Sequence, residues 1–433
     1  MAIFSNEALN PGVKKREVFG WAMYDFANSG YTTVVLTAVY SAYFVGGIAQ
    51  GAPWATFAWT LALSISYAIV MLCMPSIGAY ADLRAAKKRL LVWFTAGCVL
   101  STLGLAFTGP GTLALAFALV VVSNMFYSFG ESLTAAFLPE LAKPQAMGRV
   151  SGWGWSFGYF GGMLALGLSL GYVIWAQGQG ISAAEFVPVT MVITAVIYGG
   201  AALVTFLLLT ERAQPQSDAL RESGFKASLH QLMHTAREAR RYQDFAWLLA
   251  CAVFYQGGVA VTIALAAIYA EQVIGFKQQE TMALIFALNL AAAAGAFGFG
   301  YFQDRVGHKT ALGVTLVGWI ITCVVAALTT TKGGFWWAAG IAGLCMGSSQ
   351  SAGRAMAGML APQKQLAEFF GLWTFATRLA SIIGPITYGA ITWATGGNQR
   401  VAIASTAVLF ALGLLLLQPI DMQRGRQAAL DAK

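Results

Sequence analysis

The sequence predicts an all-α integral membrane protein, with twelve transmembrane helices in two pseudo-symmetric six-helix bundles. Composition is the first indication. The chain has 433 residues, 58% of them apolar and 10% charged, with a mean hydropathy of +0.65, whereas a soluble domain carries about 25% charged residues. The second is segmentation into twelve apolar runs, at roughly 18–45, 54–77, 90–108, 112–137, 151–175, 187–210, 245–270, 280–302, 310–328, 335–360, 367–394 and 400–418. Each is about the 20 residues a helix needs to cross hydrocarbon. The third is the distribution of basic residues. With the N-terminus inside and alternating spans, 21 of the 26 Lys and Arg residues fall in inside segments, and only Lys277, Lys332 and Arg400 fall outside. Arg354 and Arg378 remain, both within spans. This asymmetry predicts that both termini are cytoplasmic, because cytoplasmic loops carry the excess of basic residues.

The same features exclude other classes. The net charge of +8 is accounted for by the inside loops, so no nucleic-acid partner is implied. The five cysteines all lie in apolar runs without CxxC spacing, which argues against a disulfide framework or a metal site. His230 and His234 are four residues apart in a loop, and no third ligand accompanies them. The phosphate-binding pattern Gly-x-x-x-x-Gly-Lys-Ser/Thr is absent, and no nucleophile–base set falls within the spans. The chain is therefore expected to use no cofactor and to be no enzyme. The first apolar run is too long for a signal-peptide core.

Connections at 46–53 and 108–111 are too short for anything but antiparallel neighbours. The exception is the polar segment 211–244, which divides the chain into an N-terminal bundle (1–210) and a C-terminal bundle (245–433). From Phe225 to Trp247, the positions Phe225, Leu229, Leu232, Met233 and Ala236 follow helical spacing, with Arg237, Arg240 and Arg241 behind them. That pattern suits an amphipathic helix on the inner membrane surface, or equally a solvated tether.

The two halves echo each other. Gly78-Ala79-Tyr80-Ala81-Asp82 follows span 2 and Gly300-Tyr301-Phe302-Gln303-Asp304-Arg305 follows span 8, at an offset of 222 residues. Pro139 with Gly152-Trp153 is matched by Pro362 with Gly371-Leu372-Trp373. A repeat at half the chain length, six spans each, is the mark of a transporter built from two parallel bundles. In the loop, Gly permits a tight approach, Asp can meet the positive N-terminal end of a helix, and basic residues hold the turn at the surface. Gly78, Asp82, Gly300, Asp304 and Arg305 are thus candidates for a conformational latch.

Gly300-x-x-x-Asp304-Arg305-x-Gly307-x-Lys309 resembles the cytoplasmic signature loop of the major facilitator superfamily. The first copy departs from it, with Leu83 where a basic residue is usual and Ala85 where Gly is usual, which weakens the latch expected there. The stretch Gly20–Tyr31, the run Phe137-Leu138-Pro139-Glu140 with Gly148-Arg149-Val150-Ser151-Gly152, and Ala367-Glu368-Phe369-Phe370-Gly371-Leu372 narrow the resemblance to the vacuole effluxer group and its bacterial relatives. It covers nearly the whole chain. It implies alternating access, a central cavity lined mainly by helices 1, 4, 7 and 10, and a place in the bacterial plasma membrane. Yeast members of the group are linked to amino-acid efflux.

Few ionisable residues lie within spans: Asp25, Glu131, Arg354 and Arg378. A charge at the bilayer centre costs about 2.5–3.5 kcal/mol on insertion scales. In span 1, Tyr24, Asp25 and Asn28 are expected on one face. In span 4, Asn124, Tyr127 and Glu131 form a stripe; Gln350 and Arg354 are four apart in span 10. Three readings stay open: Asp25 or Glu131 as a proton carrier, the arginines as binders of a substrate carboxylate or phosphate, or a salt-bridge gate between halves. Asp25, Glu131 and Arg354 lie in the inner half of their spans, which favours a gate or an inner proton site. Arg378 and the aromatic and amide residues Tyr24, Tyr127, Tyr255, Gln256, Asn289, Gln350 and Trp373 are then the candidates for solute contact, with Tyr24 and Asn28 expected to link Asp25 to the solute.

Gly154, Gly158 and Gly162 stand at four-residue spacing in span 5, and Ala287, Ala291 and Gly295 do so in span 8. Such stripes let helices approach closely. The resemblance implies that helices 5 and 8 pack across the interface between halves, so these stripes are expected to form that sliding contact and Gly158→Leu to jam it. The function expected is secondary active transport of a small solute by a monomer, an amino acid or similar metabolite, with protons as the candidate coupling ion. A multidrug or metabolite exporter of the same fold is the alternative; a lipid scramblase or membrane enzyme fits less well.

Overall fold

The computed structural model describes residues 4–215 and 242–431. The amphipathic stretch expected from Phe225 lies outside the described residues up to 241. From Gln243 onward it belongs to the next long helix. The N-terminal half holds α1 (Lys15–Ile48), α2 (Ala55–Arg84), α3 (Lys87–Leu105), α4 (Leu113–Ala135), α5 (Met147–Gly178) and α6 (Ala183–Leu208). The C-terminal half holds α7 (Gln243–Gln272), α8 (Gln278–Val306), α9 (His308–Leu328), α10 (Lys332–Leu360), α11 (Leu366–Ala394) and α12 (Gln399–Leu417), followed by the short α13 (Met422–Leu430). The chain is a multi-pass membrane protein. Large apolar side chains such as Leu72, Phe107, Trp337 and Trp393 stand exposed on its flanks, where lipid rather than water is the favourable solvent.

Eleven of the twelve long helices among the described residues are long and apolar enough to cross a membrane. The remaining one, α10, is 29 residues long but carries Ser348, Ser349, Gln350, Ser351 and Arg354. Its polar residues fall in a stretch that is largely buried against other helices, while Trp337 and Leu344 nearer its start are exposed, so the costly groups are kept from lipid. Helix α1 is irregular in its second half. Residues Thr32–Ala38 and Phe44–Ile48 are wound as π-helix, with Val39 N–H reaching the carbonyl of Val34 and Ala49 N–H that of Phe44.

Packing follows the repeat. Within the first half α1 lies against α5 and α6, α3 against α4 and α6, and α2 against α4; within the second, α7 lies against α11 and α12, and α10 against α8 and α9. The halves meet through α2–α11, α5–α8, α5–α10 and α4–α11. These contacts sit at one end of the molecule, the basic end that carries the loops rich in Lys and Arg. One apolar cluster there runs through both halves and includes Trp21, Trp153, Tyr255, Trp319 and Phe369. Toward the opposite end the core divides into two clusters, one around Tyr31, Phe44 and Trp59 of the first half, the other around Tyr269, Phe335 and Tyr388 of the second. The molecule is thus closed between its halves at the basic end and parted at the other.

The N-terminal segment adds to the closed end. Leu9 pairs with Ala142 in an antiparallel bridge, Asn10 Nδ2 donates to the carbonyls of Pro139 and Glu140 at 3.0 Å each, and Phe4 is buried with its ring 5.2 Å from that of Trp153.

Candidate functional site

The seam between the halves is built twice. On one side, α2 and α11 approach so closely that a Cβ on Gly78 would lie 2.2 Å from the carbonyl oxygen of Ala367, and one on Gly371 would lie 2.8 Å from that of Met74. On the other, a Cβ on Gly300 would lie 2.7 Å from the carbonyl oxygen of Gly148, and one on Gly152 would lie 2.3 Å from that of Ala296. Only hydrogen fits at these four positions. Each contact ends in a carboxylate at a helix N-terminus, where unsatisfied N–H groups and the helix dipole favour negative charge. Asp82 Oδ2 accepts Glu368 N–H at 2.9 Å at the start of α11. Asp304 accepts Gly148 N–H at 2.9 Å and Arg149 N–H at 3.2 Å at the start of α5, and its Oδ2 also accepts Arg149 Nε at 2.8 Å.

Two corrections follow. The first copy of the loop motif is engaged across the halves as well, despite Leu83 and Ala85. Ala85 takes the left-handed conformation itself (φ 48°) where Gly307 has φ 92° in the second copy, and Lys87 and Lys88 anchor the turn to Glu140 and to the carbonyl of Leu209. Arg305 is exposed, and the guanidinium that meets Asp304 is that of Arg149, because residue 305 is one helical step, about 100°, round α8 from the face that Asp304 turns toward α5.

The four intramembrane charges form two ion pairs, both between halves. Arg354 on α10 donates from Nη1 to Asp25 Oδ2 at 2.7 Å. Its Nε donates to Ser151 Oγ at 3.2 Å and its Nη2 to the Ser151 carbonyl at 2.8 Å. Its guanidinium lies 4.7 Å from the ring centre of Trp21 and 5.3 Å from that of Trp155. Ser151 Oγ in turn donates to the carbonyl of Ser351 at 2.9 Å. This pair is closed in, with side-chain exposures of 7% and 12%.

The second pair joins Arg378 on α11 to Glu131 on α4. Tyr127 OH donates to Glu131 Oε1 at 3.0 Å, and the Arg378 guanidinium lies 5.4 Å from the ring centre of Tyr67 and 5.8 Å from that of Tyr127. Here 35% of the Glu131 side chain is exposed, while Ser132 beside it is buried and donates to the Phe370 carbonyl. Glu131 and Arg378 therefore join the halves in a pair that is more open than that of Asp25 and Arg354. Glu131 and Arg354 are 223 residues apart, the offset between Pro139 and Pro362, so the two bundles carry opposite charges at equivalent positions.

Other candidate residues distribute differently from the expectation. Tyr24 and Asn28 do not share a face with Asp25. Tyr24 OH meets Thr95 Oγ1 at 2.8 Å and Asn28 Oδ1 accepts Tyr198 OH at 3.0 Å, so both are internal to the first half; Asp25, one position along, is turned about 100° away. Asn124 is fully buried and donates to Ser66 Oγ of α2, because its step along α4 points it at a neighbour in the same bundle. Tyr255 and Trp373 pack on Gly353 inside the second half. Gln256 Nε2 donates to Gln350 Oε1 at 2.7 Å, tying α7 to α10, and Asn289 bonds back to its own helix at Ile285.

The glycine stripe of α5 is also placed differently. A Cβ on Gly154 would lie 2.4 Å from Asp25 Oδ2, one on Gly158 2.9 Å from Ser29 Oγ, and one on Gly162 2.9 Å from Thr33 Oγ1. All three face α1 within the first half, and Gly295 faces Leu344 of α10 within the second. The close contact between α5 and α8 is made instead by Gly148, Gly152, Ala296 and Gly300, nearer the basic end. Gly158→Leu is accordingly expected to overpack α1 against α5, at a cost of about 1–3 kcal/mol, and to lower the melting temperature rather than to jam rocking; an unchanged melting temperature would contradict this placement.

Sequence reasoning missed Tyr67, Trp21, Trp155, Ser151 and Arg149. The aromatic rings carry no polarity signal within apolar runs, and Ser151 sits at a span boundary. Arg149 counts among the inside basic residues, and the acid facing it 155 positions away cannot be paired from spacing.

With the geometry in place, the comparison with known proteins decides the family. Residues 54–430 match the model described as "Vacuole effluxer Atg22 like". The chain belongs to the vacuole effluxer Atg22-like family. Among relatives of this family, an uncharacterised MFS-type transporter, YxiO of Bacillus subtilis, is 28% identical over 402 residues, covering 92% of this chain and 93% of the relative. Autophagy-related protein 22-1 of Aspergillus fumigatus is 30% identical over 217 residues, covering 46% of this chain and 35% of that protein. The fold of this Atg22-like chain is that of solved transporters of the major facilitator superfamily. The human organic anion transporter MFSD10 aligns with a TM-score of 0.73 at 15% identity, covering 93% of this chain and 99% of that one. The fucose:proton symporter FucP of E. coli aligns at 0.70 and 14% identity, covering 94% and 98%. The chain is thus an Atg22-like transporter of the major facilitator superfamily.

Proposed function

We propose that this chain is a secondary active transporter that carries a small organic solute, an amino acid or similar metabolite, by alternating access and with protons as the coupling ion. It works as a monomer in a bacterial plasma membrane, with the basic end in the cytoplasm. The observation that supports this reading best is the single core cluster at the basic end against two separate clusters at the other. Such a molecule offers a solute site to one side of the membrane only. Rocking the halves reverses access, and among the described residues what it must break includes two Asp–helix contacts, two glycine seams, two ion pairs and the hydrogen bonds that join Ser132 to Phe370, Ser151 to Ser351 and Arg354, and Trp153 to Tyr301.

Glu131 suits the coupling role. It is the more exposed acid of the two pairs, it faces Arg378, Tyr127 and Tyr67, and protonation removes its half of an ion pair that spans the halves. Asp25, enclosed by Arg354, Trp21 and Gly154, suits a gate.

Reconstituted protein in liposomes tests both assignments. Radiolabelled amino acids and organic acids are expected to exchange across the vesicle wall, and an imposed pH gradient is expected to drive accumulation. Glu131→Gln is expected to keep solute exchange and lose the response to the gradient. If Asp25→Asn and Glu131→Gln both keep the full response, proton coupling through these residues is wrong.

A further inference from the structure

We infer that Arg378 is the receptor for a carboxylate of the solute, and that Glu131 is the protein's own carboxylate holding that place while the site is empty. The inference rests on the transport reading above and names the solute group that the same site selects.

The two buried arginines are not equivalent. Arg354 is fully engaged, with Nη1 on Asp25 and Nε and Nη2 both on Ser151. Arg378 has its Nη2 on Glu131 and a further side-chain hydrogen bond to Tyr127, while its Nε is buried and makes no hydrogen bond among the described residues. A guanidinium carries five N–H donors in a planar fork that matches a carboxylate with two parallel bonds, and here that fork is only part-filled. Tyr67 and Tyr127 lie against its π-face, which holds the plane and leaves the edge for an anion. The anion now at that edge can leave. Glu131 is one-third exposed, whereas Asp25 in the other pair is enclosed. Because the present occupant is itself a carboxylate, a solute carboxylate fits the same edge by construction. When it enters, Glu131 swings into the space between the halves, keeping Tyr127 OH as a partner.

The experiment uses the purified full-length chain in lipid nanodiscs. Thermal stabilisation is titrated with a panel of carboxylic acids including amino acids, their amides and methyl esters, and phosphomonoesters. Uptake of the same panel is measured in proteoliposomes. Wild type is expected to favour acids over their amides by about tenfold or more, the worth of one charge-assisted hydrogen bond. Glu131→Gln is expected to bind acids about tenfold more tightly, because the internal competitor is gone; a purely structural ion pair predicts unchanged or weaker binding. Glu131→Gln combined with Arg378→Gln leaves no charge unpaired, so it is expected to fold and to treat acids and amides alike. Amides or phosphomonoesters equalling the carboxylates in wild type, or weaker acid binding in Glu131→Gln, overturns the carboxylate assignment while transport stands. No uptake and no stabilisation by any member of the panel overturns the transport reading together with this one.

Discussion

Arg354→Ala is expected to destabilise the protein by about 3–5 kcal/mol, because it leaves a buried Asp25 carboxylate without its cation. The loss is larger than that of the ion pair alone. Arg354 also satisfies Ser151 on α5 and stacks between Trp21 and Trp155, so one side chain of the second half holds two helices of the first. The melting temperature of the detergent-solubilised variant is the measurement. Asp25→Asn combined with Arg354→Gln is expected to recover part of the stability, since no charge is then left unpaired, but not transport. Full stability in Arg354→Ala alone would mean that the pair contributes nothing to closure.

Gly152→Leu is expected to abolish transport with membrane insertion intact. A Cβ at this position already lies 2.3 Å from the Ala296 carbonyl oxygen, and that oxygen is backbone and cannot turn aside. The basic end is then held open. A cysteine at Ser351, buried on the seam in the native protein, is expected to react with a polar maleimide in Gly152→Leu and to resist it in wild type. Gly78→Leu is expected to do the same from the other side of the pseudo-twofold. Normal uptake by either variant would show that close closure of this seam is not part of the cycle.

Much of the fold was legible in the chain because the bilayer imposes few solutions. Span length, the placement of Lys and Arg and the repeat at half length identify twelve helices and their division. α10 was legible as the apolar run 335–360, and the alternation of charge supported it. What spacing does not carry is rotation. Tyr24 and Asn28 are four residues apart and do share a face, yet that face meets α3 and α6, while Asp25 beside them meets the other half. The glycine stripe of α5 likewise marks a close approach without naming the partner, which is α1 rather than α8. The four intramembrane charges stood out because any charge there is costly. That they pair as Asp25 with Arg354 and Glu131 with Arg378 depends on three-dimensional neighbours 329 and 247 positions apart. The departures in the first loop motif mislead for a local reason: Ala85 ends α2 in the left-handed helical conformation (φ 48°, ψ 50°), a different turn from that of Gly307 (φ 92°, ψ 149°).

The central claim is that the halves rock about the solute site by opening the basic end. A distance between spin labels at Arg89→Cys on α3 and Arg305→Cys on α8, both exposed at that end, tests it most directly. The account predicts one short population in the resting protein in nanodiscs, and a second, longer population when solute is added or when Asp82→Asn and Asp304→Asn release the two helix N-termini. A single unchanged distance under every one of these conditions would contradict it.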